Sequence, residues 1–282
     1  MATRHSTFSG CNQQKNTMKL DIIIPCYNTA QTLERAVQSS LKQPELNTLW
    51  LIDDASTDNT WQEIQRFAQQ YPHKIQAQRL PDNGGVARAR NWGALQSRAD
   101  IIAFLDADDA YQDNTLAAAL ASFQAFDYLG LIRLRLQPVG LPQKYANHPK
   151  LDYAWQVLEM TVGGNTVFRR NFFLACGGFP QDGLFRKFGG EDGALGIATV
   201  HSSIVGTLFA PEEPAVLHYC RDGMHAESLL NIHLFGQANP NIRPEDMAQA
   251  NAVTENIKDQ LRSLKTILNV EQTGTMPLIV SR

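Results

Sequence analysis

Short apolar, β-branched runs alternate with polar turns and helix-period segments through the first third of the chain. Strand-like runs fall at Leu20 to Pro25 (LDIIIP), Leu49 to Asp53 (LWLID), Lys74 to Leu80 and Ile101 to Leu105 (IIAFL). Helical periodicity follows the first three, at Thr32 to Leu41, Thr60 to Gln70 and Val86 to Ser97. A strand that is apolar on both faces, followed each time by an amphipathic helix, is how a parallel α/β sheet covered on both sides is written.

The second half is less regular. Leu129 to Gln137 reads as a strand, Tyr153 to Met160 as a short helix, and Asn165 to Arg170 as a strand that enters a helix. The segment ProGlnAspGlyLeuPheArgLysPheGlyGly reads as a flexible loop, and Glu191 to Val200 as a helix beginning with two acids. Strand-like stretches between Ile204 and Tyr219 are broken by ProGluGluPro. Val253, Ile257, Leu261, Leu264 and Leu268 fall on one helical face, which predicts self-packing or a homodimer through the C-terminal helix.

Polar residues gather where the strands end: Tyr27 and Asn28, Asp53 and Asp54, Asn83 to Gly85, and Asp106 to Asp109. In an open parallel sheet ligands bind outside those ends, so the clusters are expected to line one crevice.

Composition narrows the classes of partner. With 282 residues and a formal net charge of −3, the chain has no field that would select nucleic acid or an acidic membrane surface. Cys11, Cys26, Cys176 and Cys220 are too scattered for a zinc or redox motif, which suits a reducing, cytoplasmic setting. No apolar run approaches the roughly 20 residues of a membrane span, so any membrane association is expected to be peripheral, at the inner face. Met1 to Thr17 is polar and aperiodic and reads as a disordered leader or an upstream start.

Asp106 and Asp108 follow a buried strand with one small residue between them. Hard oxygen ligands at a crevice mouth suit Mg²⁺ or Mn²⁺, which keep positions open for phosphate oxygens; the bland alternative is a solvated turn or a helix cap at Asp109. Asp53 and Asp54 precede a turn in which Asp58 or Asn59 caps the next helix. AsnGlyGlyValAlaArgAlaArgAsn opens a helix with two glycines, so backbone can approach a ligand. Arg88 and Arg90 cannot share one face, so one is expected to turn to solvent and the other to reach a diphosphate.

AspIleIleIleProCysTyrAsn, LeuIleAspAspAlaSerThrAspAsnThr, AsnGlyGlyValAlaArgAlaArgAsn and PheLeuAspAlaAspAsp occur in that order, followed by AsnThrValPheArgArg, CysGlyGlyPhe and GlyGlyGluAspGlyAla. Together, from Leu20 to Thr199, they resemble family 2 glycosyltransferases. The resemblance implies an α/β, Rossmann-like GT-A fold, a nucleotide-sugar donor and inversion at the anomeric carbon. It divides the chain into the leader 1–17, a GT-A unit 18–235 (nucleotide-binding half 18–110, acceptor-binding half 111–235) and a C-terminal helical extension 236–282. It would place Pro25, Tyr27 and Asn28 in the nucleotide pocket, with Asp54 on the base and Asn83, Gly84, Arg88, Arg90 and Ala107 completing that site. Asp106 would contact ribose or metal, Asp108 would be the principal ligand of Mn²⁺ or Mg²⁺, and Asp192, paired with Glu191, would be the catalytic base. The third metal ligand would be His218, with His225 as runner-up.

The acceptor stays open between a saccharide, a lipid-linked saccharide and a protein, and Trp155, Tyr153 and Gly177 to Phe179 are candidates to line its side. GlyAlaLeuGly follows GluAsp where related chains often carry tryptophan and arginine. Two other readings stand beside this one, a nucleotidyltransferase with a similar core and a non-catalytic sugar-nucleotide-binding scaffold.

Overall fold

The computed structural model describes residues 18–221, 223–224, 226–268 and 272–280. The N-terminal half runs β1 (Leu20–Cys26), α1 (Leu33–Leu41), β2 (Leu46–Asp53), α2 (Thr60–Gln70), β3 (Ile75–Arg79), α3 (Val86–Gln96) and β4 (Ile101–Phe104). Then come β5 (Ala110–Tyr111), α4 (Thr115–Ala125), β6 (Leu131–Leu134), β7 (Leu136–Val139), α5 (Gln143–Ala146), α6 (Leu151–Thr161), β8 (Thr166–Arg169), α7 (Arg170–Ala175) and α8 (Gly183–Phe188). The chain continues through α9 (Glu191–Ser202), β9 (Ile204–Leu208), β10 (Val216–Tyr219), α10 (Ala226–Phe235), α11 (Pro244–Leu268) and β11 (Gly274–Pro277).

Eight strands form the main sheet in the order β11-β9-β6-β8-β4-β1-β2-β3, and β5, β10 and β7 form a second, three-stranded sheet. The main sheet is parallel except at β8, which runs antiparallel to both β4 and β6. Its two faces follow the strand period of two. Ile22 and Ile24 of β1 pack toward α1, α2, α4 and α6, whereas Ile23 packs toward α3, α7, α9 and α11. On the second face Phe104, Phe168, Phe173 and Phe179 form a cluster of edge-on and tilted rings with centroids 5.1–6.2 Å apart.

Three features differ from the sequence reading. The strand expected over Leu129 to Gln137 divides at Arg135 into β6 and β7, which join different sheets. Arg135 makes the switch by donating its N–H to Leu208 O (3.1 Å) and accepting from Val216 N (2.9 Å), so it is shared between β9 and β10. The segment read as a flexible loop contains α8. Near the C-terminus, where only a helix is expected, β11 adds an edge strand to the main sheet beside β9. The apolar stripe of α11 is used within the chain: Ile257 and Leu261 are buried with Leu195 and Ala198 of α9. Among the described residues, no helix is long and apolar enough to cross a membrane.

Glu159 of α6 holds the second sheet to the core, its Oε1 accepting the N–H of Leu136 at 2.8 Å. Burial outweighs that hydrogen bond and pushes its carboxyl up to about 7 from the ordinary 4.5. A pKa raised on folding means that the folded state holds the proton more tightly. This stabilisation is full below the unfolded value and is lost as pH rises through the folded one. Wild type is therefore expected to lose melting temperature relative to Glu159→Gln between about pH 4.5 and 7, a difference read by paired thermal melts across that range.

Candidate active site

The ends of β1, β2 and β4 and the loop after β3 are cross-linked by side chains that the sequence marked as polar clusters. Asn28, just past β1, has φ 52°; its N–H donates to Ser56 Oγ (3.0 Å), and its Oδ1 accepts from the N–H groups of Thr57 (2.9 Å) and Asp58 (3.3 Å). It thereby ties the end of β1 to the turn after β2. Tyr27 beside it is 47% exposed, while Pro25 is buried in the strand.

Asp53 is buried, ion-paired with Arg79 Nε at 3.1 Å. Asp54 is only 2% exposed, and its two oxygens accept the N–H groups of Gly84 (2.9 Å) and Gly85 (2.7 Å). Asn83 Nδ2 adds a bond to Asp54 O at 3.3 Å. The carboxylate expected on a base thus shapes the glycine loop, because this loop's backbone donors have no strand partner to satisfy them.

Arg88 and Arg90 point in opposite senses. Arg88 Nη1 donates to Asp82 Oδ2 at 2.9 Å on the surface. Arg90 is 3% exposed, and its Nη2 donates to Asp106 Oδ1 at 2.5 Å while Nη1 lies 3.6 Å from Glu191 Oε1. The inward arginine is therefore the counter-charge of an acidic cluster. Burial opposes its charge, but Asp106, Asp192 and Glu191 outweigh burial and raise its pKa.

Ala107 is 4% exposed and packs with the core beside Leu105, as the spacer between Asp106 and Asp108. Asp106 turns toward Arg90. Asp108 is ion-paired with the exposed Arg221 at 3.0 Å, and its pKa is raised by burial and by Asp106 against the opposing Arg221 and His218. Asp109 caps no helix. It accepts from His218 Nδ1 at 2.8 Å and from the N–H of Tyr219 at 3.1 Å, and so joins the β4 loop to β10. Its carboxyl is pushed up to about 6 by burial, with the His218 hydrogen bond opposing.

The GluAsp pair opens α9 after Gly190 at φ 96°. Asp192 Oδ2 accepts the N–H of Gly163 and Oδ1 the N–H of Gly193, both at 2.9 Å. Glu191 is pushed up to about 7, first by burial and then by Asp192, against Arg90. Asp192 is raised by burial, with Arg90 opposing and Asp106 adding to the rise.

Gly163 and Gly164 form a wall of this centre that no motif announced. A Cβ on Gly164 would lie 2.6 Å from Asp106 Oδ2 and 3.3 Å from the Asp106 backbone nitrogen. Gly164→Ala is accordingly expected to cost about 1–3 kcal/mol, read by urea unfolding, and to displace Asp106. Of the acceptor-side candidates, Trp155 is 8% exposed with its ring 6.2 Å from that of His218, Phe179 is buried under Arg90, and Tyr153 lies outside against His233.

A divalent metal can be tested against this donor set. His218 Nε2 is buried and has no hydrogen-bond partner among the described residues. With Nδ1 committed to Asp109, that orphaned nitrogen has the carboxylate-backed arrangement of a metal-ligating histidine. Asp108 and His218 supply the oxygen and nitrogen donors that Mn²⁺ or Mg²⁺ accepts. Among the described residues no three His, Cys, Asp or Glu side chains already converge as a cluster. The residues fit a metal that takes its remaining ligands from a diphosphate or water. His225, the alternative, lies outside the described residues.

The glycosyl transferase family 2 model matches residues 21–178. Among curated relatives, the minor teichoic acid biosynthesis protein GgaA of Bacillus subtilis is 34% identical over 125 residues, covering 42% of this chain and 28% of that protein. The succinoglycan biosynthesis protein ExoU of Rhizobium meliloti is 37% identical over 100 residues, 36% of this chain and 29% of its own. The match therefore spans less than a third of either relative's length. Among solved structures, TarS of Staphylococcus aureus in complex with UDP-GlcNAc superposes with a TM-score of 0.59 at 19% identity, covering 88% of this chain and 74% of that one. The mannosyltransferase PcManGT of Pyrobaculum calidifontis, solved with GDP-Man and Mn²⁺, gives 0.60 at 17% identity, covering 92% and 77%. The neighbours share the GT-A architecture of a mostly parallel sheet flanked by helices, and with more than half its length matched this chain belongs to glycosyl transferase family 2.

Proposed function

We propose that the chain is a metal-dependent, inverting glycosyltransferase that moves a sugar from a UDP-sugar to an acceptor hydroxyl during synthesis of a cell-surface polysaccharide or related glycoconjugate. The supporting observation is Arg90. One buried guanidinium touches Asp106 of the DxD segment at 2.5 Å and lies 3.6 Å from Glu191 of the GluAsp segment, so two motifs distant in sequence belong to one centre.

In this reading Tyr27, Asn28 and the Asn83–Gly84 backbone line the nucleotide pocket behind Pro25, with Asp54 setting the loop. The exposed Tyr27 ring offers a stacking face to a base. Asp106, Asp108 and His218 would hold Mn²⁺ or Mg²⁺, which when bound would neutralise charge on the departing diphosphate. Asp192 takes the acceptor hydroxyl's proton as the acceptor oxygen bonds to the anomeric carbon and the carbon–phosphate oxygen bond breaks. UDP leaves with that bonding pair, and attack from the opposite face inverts the configuration. Glu191, pushed up to about 7 by burial and then by Asp192, is the neutral-side neighbour of that base near neutral pH.

Teichoic acid and succinoglycan relatives favour a saccharide or lipid-linked acceptor over a protein. Release of UDP, GDP or dTDP from a panel of nucleotide sugars, with Mn²⁺ or Mg²⁺, tests the proposal. UDP release from one donor is expected. Pyrophosphate release from a nucleoside triphosphate and sugar phosphate would indicate a nucleotidyltransferase, and binding without turnover of any donor a scaffold.

A further inference from the structure

Arg133 on β6 is buried at 2% exposure, and its hydrogen-bond acceptors among the described residues are neutral oxygens. Its Nη1 donates to Val162 O (2.9 Å), Glu159 O (3.3 Å) and Asn165 Oδ1 (3.4 Å), and its Nε is buried with no hydrogen-bond partner among the described residues. A cation taken out of water without an anion in contact is destabilising, so its retention asks for a compensating electrostatic role. Burial lowers its pKa to about 10, and the influence opposing that fall is the charge of Asp192.

The geometry connects the two residues twice. Arg133 Nη2 lies 2.6 Å from where a Cβ on Gly196 would stand, so α9 rests on the guanidinium one turn beyond Asp192. The same guanidinium holds the carbonyl of Val162, whose peptide carries the Gly163 N–H that donates to Asp192 Oδ2 at 2.9 Å.

The charges around Asp192 explain why a second cation is needed. Arg90 of α3 is shared by Asp106, Glu191 and Asp192, three acids against one base. Glu159 of α6 is occupied by the N–H of Leu136. On α11, Lys258 pairs with Glu255 beside His201, at the other end of α9. Arg186 of α8 donates to Asn83 O at 2.6 Å.

We propose that Arg133 is a positioning residue for Asp192. From behind the first turn of α9 it fixes the Val162–Gly163 peptide that hydrogen-bonds the base, and it places a second buried positive charge behind that carboxylate. The proposal rests on the reading of Asp192 as general base.

The test compares Arg133→Met, Arg133→Lys and Asp192→Asn by UDP release from UDP-N-acetylglucosamine, or from whichever donor of the panel turns over fastest, across pH. Arg133→Met is expected to lower kcat by about 10- to 100-fold near neutral pH, leave donor KM within about twofold, and move the acid limb of the kcat profile up by about one pH unit. Arg133→Lys should restore most of the rate and return the limb. A wild-type limb in Arg133→Met, or parallel loss of kcat and donor affinity without rescue by lysine, overturns the proposal. Should the methionine variant show no cooperative melt, Gly196→Ala, which crowds Nη2, takes its place, and an unmoved limb there overturns the proposal equally. An inactive Asp192→Asn beside a wild-type limb in the Arg133 variants sinks this inference alone; an active Asp192→Asn sinks the general-base reading and this inference with it.

Discussion

Asp192→Asn is expected to lower the rate of sugar transfer by about 10²- to 10⁴-fold, the usual contribution of a general base. The substitution keeps the shape of the side chain and an oxygen to accept the N–H of Gly163, at the cost of the acceptor for the Gly193 N–H at the start of α9. What disappears is the ability to take a proton. It also relieves the crowding of three acids around Arg90, which offsets the lost acceptor of the Gly193 N–H, so the variant should remain folded. The expected signature is a fall in kcat with donor KM held within about twofold, since the lost interaction belongs to the transition state. Steady-state kinetics on both proteins reads it, and unchanged kcat would remove Asp192 from the chemistry.

Asp108→Asn carries the second large effect. Wild type saturated with UDP and Mn²⁺ at 100 times the dissociation constant should gain about 2.7 kcal/mol of stability, seen as a rise in melting temperature. The variant should lose the manganese-dependent part of that rise. Its ligand-free stability should stay within about 0.5 kcal/mol of wild type, because the partner it gives up, Arg221, is 66% exposed. A variant that keeps the manganese response would show that the cation binds elsewhere. A variant that merely unfolds would assign Asp108 to the scaffold.

The nucleotide-binding half is legible because its signals are local. Each of β1, β2 and β4 is a short apolar run, the helices after β1 and β2 repeat every turn, and the polar clusters sit where those strands stop. The opposite facing of Arg88 and Arg90 also follows from helical spacing. The second sheet is not written in this way. β5 has two residues and β7 and β10 four each, too short for a period, and they pair across distances that only tertiary contacts specify.

The candidate site divides along the same line. Asp106, Asp108 and Asp192 are visible as motif acids, and His218 as a residue at a strand end. Their partners are not: Asp109 reads as a possible helix cap until β10 brings His218 to it, and nothing in the sequence joins Asp54 to the Gly84 and Gly85 N–H groups that it accepts. Gly163 and Gly164 carry no chemistry of their own, and only the closeness of Arg90 and Asp106 explains why neither position has a Cβ. Arg133 sits in a run, LeuIleArgLeuArgLeu, whose alternation suggests a surface arginine on a half-exposed strand. Burial under α9 reverses that meaning.

The central claim is that the acids after β4 and the histidine of β10 hold a divalent cation against a nucleotide diphosphate. Anomalous diffraction from crystals grown with UDP and Mn²⁺ tests it most directly. A manganese peak beside Asp106, Asp108 and His218, with UDP bound in the same crevice, is the predicted result. UDP bound with no manganese at those side chains, or manganese bound at another place, would contradict it.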